Sequence, residues 1–291
     1  MKKLSENIEN VFGNKGIEWL SNLPRLVDKL TAYWGLKDLV PVDNMTFNYV
    51  AKALSISNGP VVLKISCDTK SILEESQALV YFEGNASVKL IDYHKKLNAL
   101  LLQQAIPGTT LKLIYPDQVE FVMDSYVNTM HKLHNKILPI KHGYRHISDW
   151  LKAIDKLNSN QLPEDILNKA INLKNSLLVS LGKEIFLHGD LHHDNIIKNN
   201  DQWLTIDPKG IIGEAEFEIA AFDFMYVTEL SNEPNIKNIF ESRVNLLAQK
   251  ANLNAQRIKD WTFVRLILMA AWNLEDNCDA SWAIKLAKNI I

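Results

Sequence analysis

Cysteine is nearly absent: Cys67 and Cys278 are the only two in 291 residues. That is too few for a disulfide framework, so the core must hold the fold, and a reducing compartment is the simpler setting. Charge of one sign is also lacking. The chain has 32 Lys and Arg against 34 Asp and Glu, a formal net charge of −2. No global field recruits nucleic acid or an acidic membrane surface. Long apolar runs are missing too; Phe263–Trp272 is about half the ~20 residues a bilayer span needs and carries Arg265. The first residues, M-K-K-L-S-E-N-I-E-N, lack the apolar centre of a signal peptide. No internal repeat or low-complexity tract interrupts the chain. These absences argue against a secreted disulfide scaffold, a membrane protein and a nucleic-acid binder. They predict a soluble, cytoplasmic protein whose length suits two lobes.

The informative stretch runs from Ile185 to Phe224. Two short apolar runs, Ile185–Leu187 and Trp203–Ile206, read as buried strands that each end in polar groups. Asn199, Asn200 and Asp201 between them read as a turn. Such a β-loop-β device would bring Asp190, Asn195 and Asp207 together. Asp190 and Asn195 stand in the pattern H-x-D-x-x-x-x-N, headed by His188. Phosphoryl transfer from a nucleotide needs a carboxylate to orient and deprotonate an acceptor hydroxyl, and oxygen ligands for Mg2+. Asp190 fits the base, Asn195 and Asp207 fit the metal, and His188 reads as a brace to backbone near Asp207. The plain alternative is a set of ordinary turn residues. A second alternative is a zinc hydrolase built on His188, His192, His193, Asp190 and Asp194. Nothing elsewhere in the chain completes that site.

Upstream, Ile17, Leu20, Leu23 and Leu26 predict a short amphipathic helix broken at Pro24. Val40–Leu54 and Pro60–Ile65 read as strands, joined by the turn S-N-G-P at Ser57–Pro60. Lys64 ends the apolar run V-V-L-K-I, where a lysine is costly unless paired. In a kinase such a lysine meets the nucleotide phosphates and a helix glutamate. Glu74 and Glu75 lie on the helix that follows; a snorkelling edge lysine beside a solvated acidic pair is the other reading. Asp43–Asn48 falls where a kinase covers the phosphates, but it has no glycine; Thr46 and nearby N–H groups are its candidate donors. Val88–Ile91 and Ala99–Gln103 read as a further strand pair. Downstream, Asp117–Leu138 is a helix with Asp117 and Glu120 at its start, followed by a loop at Pro139–His146. Helices are expected over Ser148–Leu157, Pro163–Leu181, Asn235–Ala251 and Ala255–Leu274, with Glu214–Phe224 leading into another. Lys209 is placed to offset charge on a transferring phosphoryl group, or is an exposed loop lysine.

The segments H-G-D-L-H-H-D-N and I-D-P-K-G-I-I-G-E resemble the aminoglycoside phosphotransferases, in particular the branch of streptomycin 6-phosphotransferases and aminoglycoside/hydroxyurea resistance kinases. The resemblance extends over most of the chain. It implies an α/β (α+β), protein-kinase-like two-lobed fold, with a small antiparallel sheet lobe at residues 1–104 and a larger, mainly helical catalytic and acceptor-binding lobe at 105–291. It implies ATP with Mg2+ and a small, cationic hydroxyl acceptor of the streptomycin type. It favours Glu75 as the partner of Lys64 and puts the adenine against backbone at Gln103–Ala105. The stretch A-A-W-N-L-E-D resembles the family's A-A-W-S-L-E-D, which assigns Trp272, Glu275 and Asp276 to the acceptor; Asp194, at a frequent glycine position, joins them. Where Glu218 stands the family has aspartate bracing the catalytic loop, so the longer side chain implies a brace that shifts or is lost. Two other functions remain open: a kinase of another small metabolite such as hydroxyurea or an amino alcohol, and a non-catalytic nucleotide-binding protein.

Overall fold

The computed structural model describes residues 1–139, 142–276 and 278–290, and divides into two compact units. The first comprises Met1–Thr109 with Lys198–Ile206; the second comprises Thr110–Ile197 with Asp207–Ile291.

The first unit opens with helix α1 (Lys2–Trp34), followed by strands β1 (Leu36–Pro41), β2 (Asn48–Ser55) and β3 (Gly59–Ser66). Helix α2 (Thr69–Phe82) and strands β4 (Leu90–His94), β5 (Ala99–Gln103) and β6 (Pro107–Thr110) come next. Five strands form an antiparallel sheet in the order β1-β2-β3-β5-β4. Strand alternation explains the two layers on it. Val61, Leu63 and Ile65 of β3 point into a core with Leu4, Ile8, Leu23 and Leu30 of α1. Lys64, one residue out of phase, points to the other face and meets α2. The expected break at Pro24 does not occur. The helix runs through it, because burying Leu23 and Leu30 on either side outweighs one lost helical hydrogen bond. The real bend is at Gly13, whose φ of 53° suits glycine. There the chain folds back so closely that a Cβ on Gly16 would run into the carbonyl oxygen of Ile8.

The second unit contains α3 (Val119–His134), β7 (Arg145–His146), α4 (Ile147–Leu151), α5 (Glu164–Val179) and β8 (Ile185–Leu187). Then comes a strand absent from the sequence reading, β9 (Ile196–Asn199), whose hairpin with β10 (Gln202–Thr205) turns at Asn200 and Asp201. The unit boundary falls within β9, and β9 and β10 form a three-stranded sheet with β6. β11 (Ile211–Gly213), α6 (Ala215–Ile219), α7 (Val227–Asn232), α8 (Ile236–Ala251), α9 (Ala255–Glu275) and α10 (Ser281–Asn289) complete the chain. Every residue from Trp261 to Leu268 is buried. A helix apolar on all sides belongs at a centre, and α9 is surrounded by α5, α6, α8 and α10. Asp117 caps nothing: α3 begins after Gln118 with no side-chain cap. The single helix expected over Ser148–Leu157 is α4 and a separate short 3-10 turn. The loop expected at Pro139–His146 ends in β7 instead, and its Ile140 and Lys141 lie outside the described residues. No described helix is long and apolar enough to cross a membrane.

Candidate active site

β11 pairs with β8 antiparallel, Ile211 opposite Leu187. The segment leaving β8 and the segment entering β11 therefore meet at one end of this small sheet. The carbonyl of His188 accepts hydrogen bonds from Lys209 N (2.7 Å) and Gly210 N (3.3 Å), which joins the backbone of the H-G-D segment to that of the D-P-K-G segment. Gly189 must be glycine. Its φ is 84°, and a Cβ would lie 3.0 Å from Ile211 Cγ2 and 3.1 Å from Trp150 Cη2. Asp207 takes φ 59° without being glycine, a strained conformation of the kind found at functional sites.

The brace expected to shift or vanish at Glu218 is present. Glu218 is fully buried on α6, and its carboxylate accepts from His188 N (2.6 Å) and Gly189 N (2.8 Å). His134 at the end of α3 meets, at 3.2 Å, the same carboxylate oxygen that accepts from His188 N. Burial pushes this carboxyl up, but its bond to His134 and the nearby positive groups outweigh that, and it sits below the usual carboxylate range.

Asp190 is two-thirds enclosed and faces Arg265, Lys209 and His192. Arg265 Nη2 lies 3.2 Å from Oδ1 and also donates to Gly189 O at 2.9 Å. Lys209 Nζ and His192 Nε2 each lie 3.9 Å from Oδ2. Burial raises the Asp190 carboxyl; His192, Lys209 and Arg265 together more than reverse this and hold it low. Arg265 was visible in the sequence only as a charge inside an apolar run. An arginine buried in a central helix needs an anion, and that was the signal for it. Asn195 donates Nδ2 to the backbone carbonyl of Asp190 (3.0 Å), so its side-chain oxygen is the end left for a ligand.

Asp190 and Arg265 border a cavity of about 310 Å3, walled also by Phe222, Asp223, Met269 and Trp282. Trp282 comes from α10, and its place on that cavity was not legible in the sequence. Trp272 is on α9 but stands edge-on to Trp150 at 5.4 Å and does not line that cavity. Glu275 pairs with Lys156 at 3.1 Å, and Asp194 pairs with Lys112. Burial, then the charge of Glu275, pushes the Asp276 carboxyl up.

In the first unit, Lys64 Nζ bonds both Glu75 oxygens at 2.7–2.8 Å, with both side chains buried. Glu75, not Glu74, is therefore the buried carboxylate against the lysine. Thr46 is exposed in the β1–β2 loop, its carbonyl accepting from Asn7 Nδ2 at 3.1 Å. Gln103 closes β5, its N–H bonded to Lys89 O at 2.9 Å, and Ala105 follows as a buried residue.

Comparison with known proteins shows the family and the fold. Residues 34–277 match the family model of the aminoglycoside/hydroxyurea antibiotic resistance kinases. The chain is 24% identical to a streptomycin 6-kinase of Streptomyces griseus over 286 residues, covering 95% of this chain and 91% of that protein. It is 22% identical over 274 residues to a hydroxyurea phosphotransferase of Kitasatospora aureofaciens, covering 91% and 77%. An amicoumacin kinase solved with AMP-PNP, Ca2+ and Ami shares the fold at a TM-score of 0.68 and 15% identity, over 95% of both chains. A thermostable mutant of the aminoglycoside phosphotransferase APH(4)-Ia, in complex with ADP and hygromycin B, does so at 0.62 and 13% identity, over 90% of this chain and 96% of that one. The fold is the kinase-like one of these phosphotransferases, and the chain belongs to the aminoglycoside/hydroxyurea antibiotic resistance kinases, enzymes that phosphorylate an alcohol group.

Proposed function

We propose that this kinase transfers the γ-phosphoryl group of ATP to a hydroxyl of a small cationic antibiotic, with a streptomycin-like aminoglycoside as first candidate. The observation that carries the reading is a carboxylate, Asp190, fixed by Arg265 at the wall of a 310 Å3 cavity. The acceptor hydroxyl enters from that cavity and donates to Asp190. As its oxygen bonds phosphorus, the proton passes to the carboxylate and ADP leaves. A carboxyl held low is a weak base, and that suffices. The phosphoryl-transfer transition state is loose, so the hydroxyl needs orientation more than early deprotonation.

Asn195 and Asp207 form a hard-oxygen donor set, the chemistry that suits Mg2+. Bound there, Mg2+ would neutralise charge on the β and γ phosphates. Lys64, held by Glu75, pairs with the phosphates, while Thr46 contacts them and the backbone of Gln103 and Ala105 reads the adenine. Lys209 offsets charge on the transferring group, being already 3.9 Å from Asp190.

Trp272 shares the face of α9 that carries Arg265, about 10 Å along the helix by its rise, and Asp276 caps the end of that helix. An acceptor of several rings could span that stretch, stacking on Trp272. Two carboxylates closing a helix oppose its dipole, and the raised carboxyl of Asp276 favours a cationic partner for Glu275 and Asp276. Asp194 and Glu275 already pair with Lys112 and Lys156, which a cationic acceptor would displace.

The cavity itself favours a second reading. Its volume is at the small end for ligand sites, and its aromatic and acidic walls suit a compact amino alcohol. Mg2+-dependent ADP release, with streptomycin, other aminoglycosides, hydroxyurea and choline added in turn, separates the readings. Stimulation by streptomycin supports the first. Stimulation by choline or hydroxyurea alone replaces the acceptor, and release under none of them, with no ATP binding, removes the kinase assignment.

A further inference from the structure

The geometry points to a transition-metal site, separate from the nucleotide's metal, formed by His192, His193 and Asp223. The ligand atoms of these three side chains lie within 4.8 Å of one another. His192 Nδ1 and His193 Nδ1 face the same oxygen, Asp223 Oδ2, at 3.9 and 3.8 Å. Neither Nδ1 reaches solvent and neither has a hydrogen-bond partner. A buried polar atom left unpaired is costly, so two aimed at one carboxylate call for something between them. The spacing is too long for a hydrogen bond and slightly wide for a metal. Bonds of about 2.0 Å in a tetrahedron put ligand atoms about 3.3 Å apart, so closure requires roughly half an ångström for each histidine–carboxylate pair and a larger approach of the two histidines, whose ligand atoms lie within 4.8 Å.

The surroundings fit ligation. His193 is fully buried and cannot swing. Its other nitrogen is held by Tyr226 Oη at 3.1 Å, its ring is stacked on Phe222 and Tyr226, and Tyr115 stands edge-on to it. A hydrogen bond to the second ring nitrogen fixes tautomer and orientation, as is usual for a metal-bound histidine. Two imidazoles and one carboxylate form a borderline donor set that favours Zn2+ over Mg2+. Three protein ligands leave a fourth position, and His192 and Asp223 both face the cavity from which water can fill it. The ion would tie the catalytic loop to the segment between α6 and α7. Of the residues raised for a zinc site by the sequence, only His192 and His193 take part. Asp223, which completes the set, is remote in sequence, and Asp194 is paired with Lys112.

Cobalt titration of the metal-free protein, without nucleotide and with Mg2+ in excess, tests this independently of any kinase activity. One equivalent of Co2+ should bind and give the intense visible bands of a four-coordinate site. His192→Gln and Asp223→Asn, both at partly exposed positions, should each weaken binding by roughly a hundredfold or more, since even a lost outer partner costs about 10–100-fold. Circular dichroism identifies any variant that fails to fold, and the other then carries the test. Absence of stoichiometric cobalt binding to the native protein, or equal binding by a folded variant, would overturn the proposal.

Discussion

Asp190 owes its low pKa to neighbours contributed by different parts of the second unit: His192 from its own loop, Lys209 from the D-P-K-G turn and Arg265 from α9. Removing the Lys209 charge lifts the carboxyl back toward the ordinary value of about 3.9. In Lys209→Met the acid limb of kcat/KM should therefore move to higher pH, which a pH–rate profile reads directly; an unmoved limb would dissociate Lys209 from Asp190. Glu218 makes a parallel case for stability. Its folded pKa is depressed, so its contribution is present above the unfolded value of about 4.3 and is lost as pH falls through the folded one. Glu218→Gln should cost about 1–3 kcal/mol at neutral pH and flatten the acid side of the stability curve. Urea melts between pH 3 and 7 check the sign.

Elements explain what the sequence did and did not reveal. The sequence predicted α8 and α9 nearly to their ends, whereas α3, read from its buried stripe, stops at His134, short of the expected Leu138. The strand β9 was missed because Ile196–Asn199 carries only two apolar residues before polar ones, too short for alternation to register. Pro24 misled because packing of Leu23 and Leu30 outweighed a local preference. The expected β-loop-β device does not form, since β8 pairs with β11 and β10 with β9 in separate sheets, and Arg265, Asp223 and Trp282 join Asp190 at the cavity only through tertiary packing. Between β3 and α2, Lys64 and Glu75 form a buried pair whose loss of one member is costly. Glu75→Ala should destabilise by about 3–5 kcal/mol, whereas the double replacement Lys64→Met with Glu75→Leu should melt near the native temperature. The double variant should nevertheless have lost phosphoryl transfer. Full activity in it would mean that the pair serves only the fold.

For the whole molecule, the two units hold different shares of the proposed chemistry: Lys64, Glu75, Thr46, Gln103 and Ala105 in the first, and Asp190, Asn195 and Asp207 in the second. Ligand binding to the native state stabilises it by about 2.7 kcal/mol at a hundredfold excess over Kd. ATP with Mg2+ should therefore raise the melting temperature of the native protein and of Asp190→Ala, whose carboxylate serves the acceptor. It should not raise that of Asp207→Ala, whose oxygen serves the metal. An equal rise in all three, followed by differential scanning fluorimetry, would dismiss the metal role of Asp207.

The most direct test of the central claim is single-turnover phosphoryl transfer by Asp190→Asn, measured with the acceptor that stimulates the native enzyme and with mass detection of the phosphorylated product. The substitution keeps shape and removes the charge. The expected rate is lower by about 10²–10⁴, the usual contribution of a positioned base, with ATP affinity unchanged. A transfer rate equal to that of the native enzyme would contradict it and remove Asp190 from the reaction.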